Sequence, residues 1–444
     1  MDLAHDEERG EAEDVAPKDR REAILLKFVQ GHGNVLNSLV SQSPALLEDS
    51  FSCLLKHPQC RTVLDFDNKR QYFTTQMRKL RRHVRTLNLV VRRSNVFEDS
   101  FMYLRLHTAQ ELRGRLSVKF DGEEGIDAGG PTREWFQILA REMFKPDYGL
   151  FKPSADSSAF QPDPRSSIAV DRHLDYFRFV GRIVGKAVAD GHLLDAHFTR
   201  SFYKHILGLK VTPSDMQSLD PEYYRNLMEL TQMNIEEIGL DLTFSADIDV
   251  FGSVRTKELF PGGAEIPVTE ENKRDYIRLV THYRMTNGIR AQLDAFLEGF
   301  HELVPAELIS IFDENELELL IAGVPEIDLD DLKANTEYVG YSAASQQIRW
   351  FWKCLEGLPS EDHARFLMFV TGTSKVPLDG FKNLIGMRGV QRFTIHKAYG
   401  SDDALPQSHS CFNQLDLPAY NTEAALCEKL TYAIHECTEG YGFG

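Results

Sequence analysis

Cysteine is scarce and unpaired in this sequence. The six cysteines, Cys53, Cys60, Cys354, Cys411, Cys427 and Cys437, form no CxxC pair and no dense framework, which argues against a disulfide-stapled scaffold and fits a reducing compartment. A secretory leader is missing too: the opening MDLAHDEERGEAED is acidic where such a signal is basic and then apolar, and no apolar run approaches a membrane span. No N-x-S/T acceptor occurs. Positive charge is in deficit, with a formal net charge of −17, so a nucleic-acid backbone is not the expected partner. The expectation is a cytoplasmic and/or nuclear protein with no nucleic-acid or membrane partner, whose field favours basic protein partners.

What is present is enough apolar material for more than one core, 42% hydrophobic residues in a chain of 444. Residues 1–20 are charged and poor in aromatics and are expected to be a disordered acidic tail. Residues 21–89 read as a helical extension, with Ile24, Leu25, Phe28 and Val29, then Val35, Leu36, Leu39 and Val40, at helical spacing. The run RKLRRHVRTLNLVVRR follows, which reads as a solvated helix face or an acid-binding patch.

Mixed α and β patterning begins near residue 90. In RLSVKFDGEEG, Leu116, Val118 and Phe120 alternate with polar residues as a half-buried strand does. The Gly129–Gly130 turn and Pro131 then open a helix, and the lysine of a phosphate-binding loop is missing. A smaller unit follows, in which EIGLDLTF alternates Ile238, Leu240, Leu242 and Phe244 as a strand, and VTEENKRDYIRLV starts a helix with Thr269 as N-cap. ENELELLIAG is a helix closed by Gly323. Residues 329–337 have linker composition and are expected to be a hinge, before a compact α/β unit over residues 338–444.

That last unit contains LPQSHSCFNQLDLPAY, where Cys411 stands among Ser408, His409, Ser410 and Asn413. A structural cysteine usually hides as a small hydrophobe, whereas a nucleophile needs access and thiolate character. In an extended loop His409 and Cys411 point to the same side and could share a proton, and Ser410 and Asn413 could hydrogen-bond a thioester or its oxyanion. A surface cysteine with no role is the plainer alternative. A papain-like protease wants a histidine and an Asn or Asp far downstream, and only His435 follows. No metal site is expected, because His409 and Cys411 are too close for two structural ligands and Cys53, His57 and Cys60 form only a weak C-x3-H-x2-C.

The loop, together with NVFEDSF, GIDAGGPTREWF, FVGRIVGKAV, RSFYKHILG, FVTGTSKVP and the tail ECTEGYGFG, resembles the HECT-type ubiquitin ligases. LDFDNKRQYF and ELELLIAGVPEIDLDDLKANTEY resemble the very large ligases of the Mule type within that family. The resemblance implies an α+β, bilobal fold: a large, mostly helical N-lobe over residues 90–328, a small subdomain inserted at 193–264, the hinge, and the α/β C-lobe. It implies that Cys411 carries ubiquitin as a thioester, supported by Leu405, Pro406, His409, Ser410, Phe412 and Asn413, without cofactor or metal. Partners would be a ubiquitin-conjugating enzyme, ubiquitin and protein substrates. Tyr223, Leu227, Met233, Leu240, Leu242 and Tyr276 would hold the conjugating enzyme, Asp416 or Glu439 would activate the acceptor lysine, and Tyr441 would place the tail. Ser410 and Tyr441 depart from the threonine and phenylalanine frequent in the family. The helical extension could restrain the enzyme or pair two copies. Rival readings are a binding module that has lost transfer and a hydrolase that removes ubiquitin.

Overall fold

The computed structural model describes residues 17–81, 84–123, 130–155, 157–235, 239, 241–250, 253–323, 327–371, 376, 380–386, 389–399, 403–409 and 412–436. The chain divides into two compact units, residues 1–76 and 77–444.

The first unit is helical. Helices Pro17–Gly31 and Gly33–Gln42 and short turns bury Val29, Leu36, Val40, Leu47, Leu54 and Leu64. Only part of each sequence stripe is used, since Ile24, Phe28, Val35 and Leu39 stay exposed. Residues 17–20, read as disordered tail, lie in the first helix. Cys60 is fully buried in this unit's core, as the plainer reading of Cys53, His57 and Cys60 held.

The second unit starts its sheet structure earlier than expected. Leu87–Val91, placed partly in the helical extension, is a strand paired in parallel with Leu116–Phe120. Their alternation buries Leu89, Val91, Leu116, Val118 and Phe120. Three arginines of the basic run that ends here are paired: Arg81 meets Asp190 at 3.1 Å, Arg92 meets Asp99 at 2.6 Å, and Arg93 reaches Glu123 and Glu134.

Two helices, His173–Asp190 and Arg290–His301, cross at the centre of this unit. Glycines on both sides allow the backbones to touch. A Cβ on Gly181 would stand 2.0 Å from the Phe296 carbonyl oxygen, and one on Gly299 would stand 2.0 Å from that of Arg178. Around the crossing lie stacked and edge-on rings of Phe198, Phe202, Phe296 and Phe300.

The smaller core is bounded differently from the expected 193–264. Phe198, Phe202 and Tyr203 belong to the large aromatic core, while Leu227, Leu230, Ile235, Phe244, Val268, Tyr276, Ile277 and Val280 form a separate cluster that extends past residue 264. Of EIGLDLTF, residues 237, 238 and 240 lie outside those described; Thr243 forms an isolated bridge with Pro267, and the hairpin that follows pairs Ser245–Val250 with Ser253–Glu258. Thr269 does not cap: its N–H bonds Asn272 Oδ1 at 2.7 Å, and helix Lys273–Met285 begins after Asn272.

The stretch read as a hinge is folded. Asp328 caps helix Leu329–Ala334 by accepting from the N–H groups of Asp330 and Asp331, both at 3.0 Å. Glu337–Val339 then pairs in parallel with Thr394–His396. Acids and asparagine, which mimic linker composition, are here the cap and first turn of a helix too short to show periodicity. Leu332 is 1% exposed in a core with Ile348, Phe351, Trp352, Leu355, Phe366, Ile395, Leu417 and Leu430. Leu332→Ala is therefore expected to destabilise the protein by about 2–4 kcal/mol in urea unfolding, whereas a residue in a solvated linker would stay within roughly 0.5 kcal/mol. The connection between the two large cores falls at residues 323–328, after Gly323 ends helix Glu314–Ala322 with φ +89°.

The C-terminal core rests on a four-stranded sheet in the order Gln407–His409, Gln414–Pro418, Thr394–Ala398, Glu337–Val339. Helices Gln346–Glu356, Ser360–Thr371 and Glu423–Glu436 cover it. Cys354 and Cys427, 73 positions apart, are joined as a disulfide between two of these helices, their Cα atoms 5.6 Å apart. One such pair is not the stapled scaffold that the sequence argues against, and helix packing, not spacing, brings the two together.

Candidate functional site

The Cys411 loop is the turn of a hairpin. Gln407, Ser408 and His409 pair antiparallel with Asp416, Leu415 and Gln414, so residues 410–413 connect an edge strand to an inner one. Ser410 and Cys411 themselves lie outside the described residues, as do Leu240, Glu439 and Tyr441. Everything around the turn is anchored. Pro406 and Ser408 are buried, Leu405 is exposed and Phe412 half-buried. Tyr420, fully buried, donates its hydroxyl to the Ala404 carbonyl at 2.6 Å and so ties down the chain leading into the hairpin.

Asn413 has a different task from the one its sequence position suggested. It is fully buried, adopts φ +48°, and donates Nδ2–H to the Gln391 carbonyl at 2.8 Å, while its own carbonyl accepts from Thr394 N–H at 2.9 Å. Asparagine is among the few non-glycine residues that tolerate the left-handed region. Its side-chain amide therefore pins the turn to the neighbouring strand and is not aimed at a thioester.

His409 is half-exposed and its Nε2 lies 3.2 Å from Asp416 Oδ2. The other carboxylate oxygen of Asp416 accepts from Gln414 Nε2–H at 2.6 Å. His409 thus has a carboxylate partner on the adjacent strand, and Asp416 is held by two side chains. His435, the one histidine downstream of the cysteine, bonds Asp362 at 2.8 Å on helix Ser360–Thr371, which removes the protease-like arrangement. No group of three or more His, Cys, Asp or Glu side chains at metal-binding geometry occurs among the described residues.

The second set of expected residues splits. Leu227 and Tyr276 are 5% and 7% exposed in the small core, and burial pushes the Tyr276 phenol up to about 12. They are packing residues and offer no surface. Tyr223 is half-buried, with the Arg284 guanidinium 3.7 Å over its ring, and burial raises its phenol as well. Leu242 is partly buried, while Met233, just past helix Pro221–Gln232, is 45% exposed. Lys273, itself buried, donates to the Met233 carbonyl at 2.9 Å and fixes that corner. Of the six, Met233, Tyr223 and Leu242 present surface.

Sequence reasoning missed one contact between the two large cores: Arg365 on helix Ser360–Thr371 meets Glu316 on helix Glu314–Ala322 at 3.6 Å, both largely buried. The partners are 49 positions apart in sequence and carry no local signal.

With this geometry in place, the comparisons with known proteins become informative. A family model described as HECT-domain (ubiquitin-transferase) matches residues 137–444. The E3 ubiquitin-protein ligase UPL2 of Arabidopsis thaliana is 54% identical over 426 residues, 94% of this chain and 12% of that protein. HUWE1 of Mus musculus is 51% identical over 422 residues, 94% of this chain and 10% of its own length. TOM1 of Saccharomyces cerevisiae is 45% identical over 427 residues, 96% of this chain and 13% of its own. The chain spans about a tenth of the length of these curated relatives.

Proposed function

Because this chain belongs to the HECT-domain (ubiquitin-transferase) family, we propose that it is a ubiquitin-protein ligase domain that takes ubiquitin from a conjugating enzyme onto Cys411 and passes it to a substrate lysine. In the first step the Cys411 thiolate attacks the thioester carbonyl, a new C–S bond forms, and the conjugating enzyme's thiolate leaves. In the second the lysine amine attacks the same carbonyl, an isopeptide forms, and Cys411 is released. Thioester exchange is nearly balanced in free energy, so the protein supplies mainly proximity and orientation, worth up to about 7–11 kcal/mol of barrier.

The observation that carries this reading is the anchoring on either side of Cys411: a buried Asn413, a buried Tyr420 and a three-pair ladder of Gln407–His409 with Gln414–Asp416 hold the chain that leads into and out of it. His409, held by Asp416, supports loading by accepting the thiol proton. With Asp416 committed to His409 and Gln414, Glu439 is the acid left to assist the lysine, and Tyr441 in the same tail helps to place it. The C-terminal lobe swings between donor and acceptor.

The conjugating enzyme docks on a surface to which Tyr223, Met233 and Leu242 contribute, with Leu240 as a further candidate from the same stretch of sequence. Met233→Ala is expected to slow transfer of ubiquitin onto Cys411 at least about five-fold with unchanged thermal midpoint, as loss of a contact residue would. Leu227→Ala and Tyr276→Ala are expected to lower the midpoint as well. Normal loading by the Met233 variant would remove this surface from the account. The helical extension, with Ile24, Phe28, Val35 and Leu39 exposed, pairs copies of the chain or restrains it, and the protein works in the cytoplasm and/or nucleus.

A further inference from the structure

A cleft of about 240 Å³ lies on the second unit, away from both expected sites, lined by Arg105, Leu106, Arg172, Asp175, Arg178, Phe179 and Arg182. Four guanidinium groups around one cleft stand out in a chain of net charge −17. Their commitments differ. Arg182 is fixed: its side chain is 10% exposed, pairs with Glu302 at 2.7 Å and donates to the carbonyls of Leu104 and His107. Arg172 pairs with Asp175, a pair 62% and 49% exposed, and an ion pair so exposed contributes little, so Arg172 can re-engage at small cost. Arg178 is more committed: it donates from Nε to Glu302 at 2.9 Å and from Nη2 to the same carboxylate, which is 13% exposed and is shared with Arg182, and it meets Glu298 at 3.1 Å as well.

Arg105 is different again. Among the described residues its guanidinium has no carboxylate partner, and its Nε is buried without a hydrogen-bond acceptor. It lies against the Phe101 ring, 5.6 Å from the centroid. A buried donor left unmade costs about 1–3 kcal/mol, which an acceptor oxygen would recover. The backbone points the same way. Arg172 has φ +59° and ψ 29° as N-cap of the 18-residue helix His173–Asp190, whose positive end therefore opens at the cleft. A bulky non-glycine residue held in the left-handed region is a strain to be explained by what it positions.

We propose that this cleft binds a small soluble anion carrying two or more phosphate groups, gripped by Arg105 and Arg172. Planar guanidinium forks match phosphate oxygens in pairs, and two available forks on separate elements suit two phosphate groups better than one. The asymmetry of commitments sets the order of importance: Arg105 gains most, Arg172 exchanges an exposed carboxylate partner for the ligand, and Arg178 and Arg182, both held by Glu302, form the wall. A bilayer surface is disfavoured, since an anionic membrane repels a chain of this net charge.

Titration of the full chain with inorganic tripolyphosphate, followed by calorimetry, tests this. Saturable binding is expected, weakened at least about ten-fold in Arg105→Gln and clearly weakened in the exposed variant Arg172→Gln, with inorganic phosphate binding far less well. Both variants are expected to keep the parent's thermal midpoint without ligand. Undiminished affinity in the two variants would move the anion elsewhere, for instance to the Arg78–Arg85 run, and overturn the assignment. Absence of saturable binding, or Arg105-dependent sedimentation with anionic vesicles in place of tripolyphosphate binding, would overturn it equally.

Discussion

Gly181→Ala is expected to be among the most destabilising single-methyl additions available in this protein. The new Cβ would stand 2.0 Å from the Phe296 carbonyl oxygen and 3.0 Å from the Phe300 nitrogen, all of it helix backbone. Neither helix can yield by rotating a side chain, so the pair must separate, loosening the Phe198, Phe202 and Phe296 rings packed against it. Overpacking typically costs about 1–3 kcal/mol where side chains can adjust, and here at least about 3 kcal/mol is expected, read as a fall in the denaturant midpoint. Gly299→Ala meets the Arg178 carbonyl at the same 2.0 Å and should behave alike. Gly31, with nothing within 4 Å of an added Cβ, serves as control: Gly31→Ala should shift stability by no more than about 1 kcal/mol. A tolerated Gly181→Ala would mean that the helices do not approach as described.

The second large effect concerns chemistry. Cys411→Ala removes the one atom proposed to hold the ubiquitin carboxyl end, so ligase activity should fall more than about 1,000-fold, on the scale of nucleophile deletions in enzymes with covalent intermediates. Stability should change little, because the ladder and the anchors of this hairpin are made by other residues. Cys411→Ser is the informative companion. It should retain the slow formation of an adduct, now an oxyester that thiol reductants do not cleave. Activity that survives Cys411→Ala would identify another nucleophile or a direct transfer in which this chain only brings partners together.

Much of the architecture was legible because some elements declare themselves locally. The alternation of Leu116, Val118 and Phe120 gave a strand that exists, and ENELELLIAG gave helix Glu314–Ala322, closed by Gly323 as expected. Residues 329–337 misled because the acids that cap a short helix are the same residues that fill linkers, and only Leu332's burial distinguishes the two. Leu227 and Tyr276 misled for a related reason: an apolar stripe shows that a face is covered, without saying whether by the chain's own core or by a partner. Asn413 beside a nucleophile reads as a hydrogen-bond donor to substrate, and its left-handed φ and bond to Gln391 are tertiary facts. The arginine cleft had no sequence signal at all, since Arg105 and Arg172 are 67 positions apart and meet through helix packing.

The pairing of His409 with Asp416 sits between these cases. The spacing across a hairpin was available in the sequence, yet the register that brings them to 3.2 Å depends on where the turn falls.

The most direct test of the account is mass spectrometry of the full chain after incubation with charged conjugating enzyme, quenched without reductant and digested. The account predicts the ubiquitin C-terminus joined to the sulfur of Cys411, in a bond that added thiol cleaves. Ubiquitin joined only to another residue, or never joined to this chain while substrate is still modified, would contradict it.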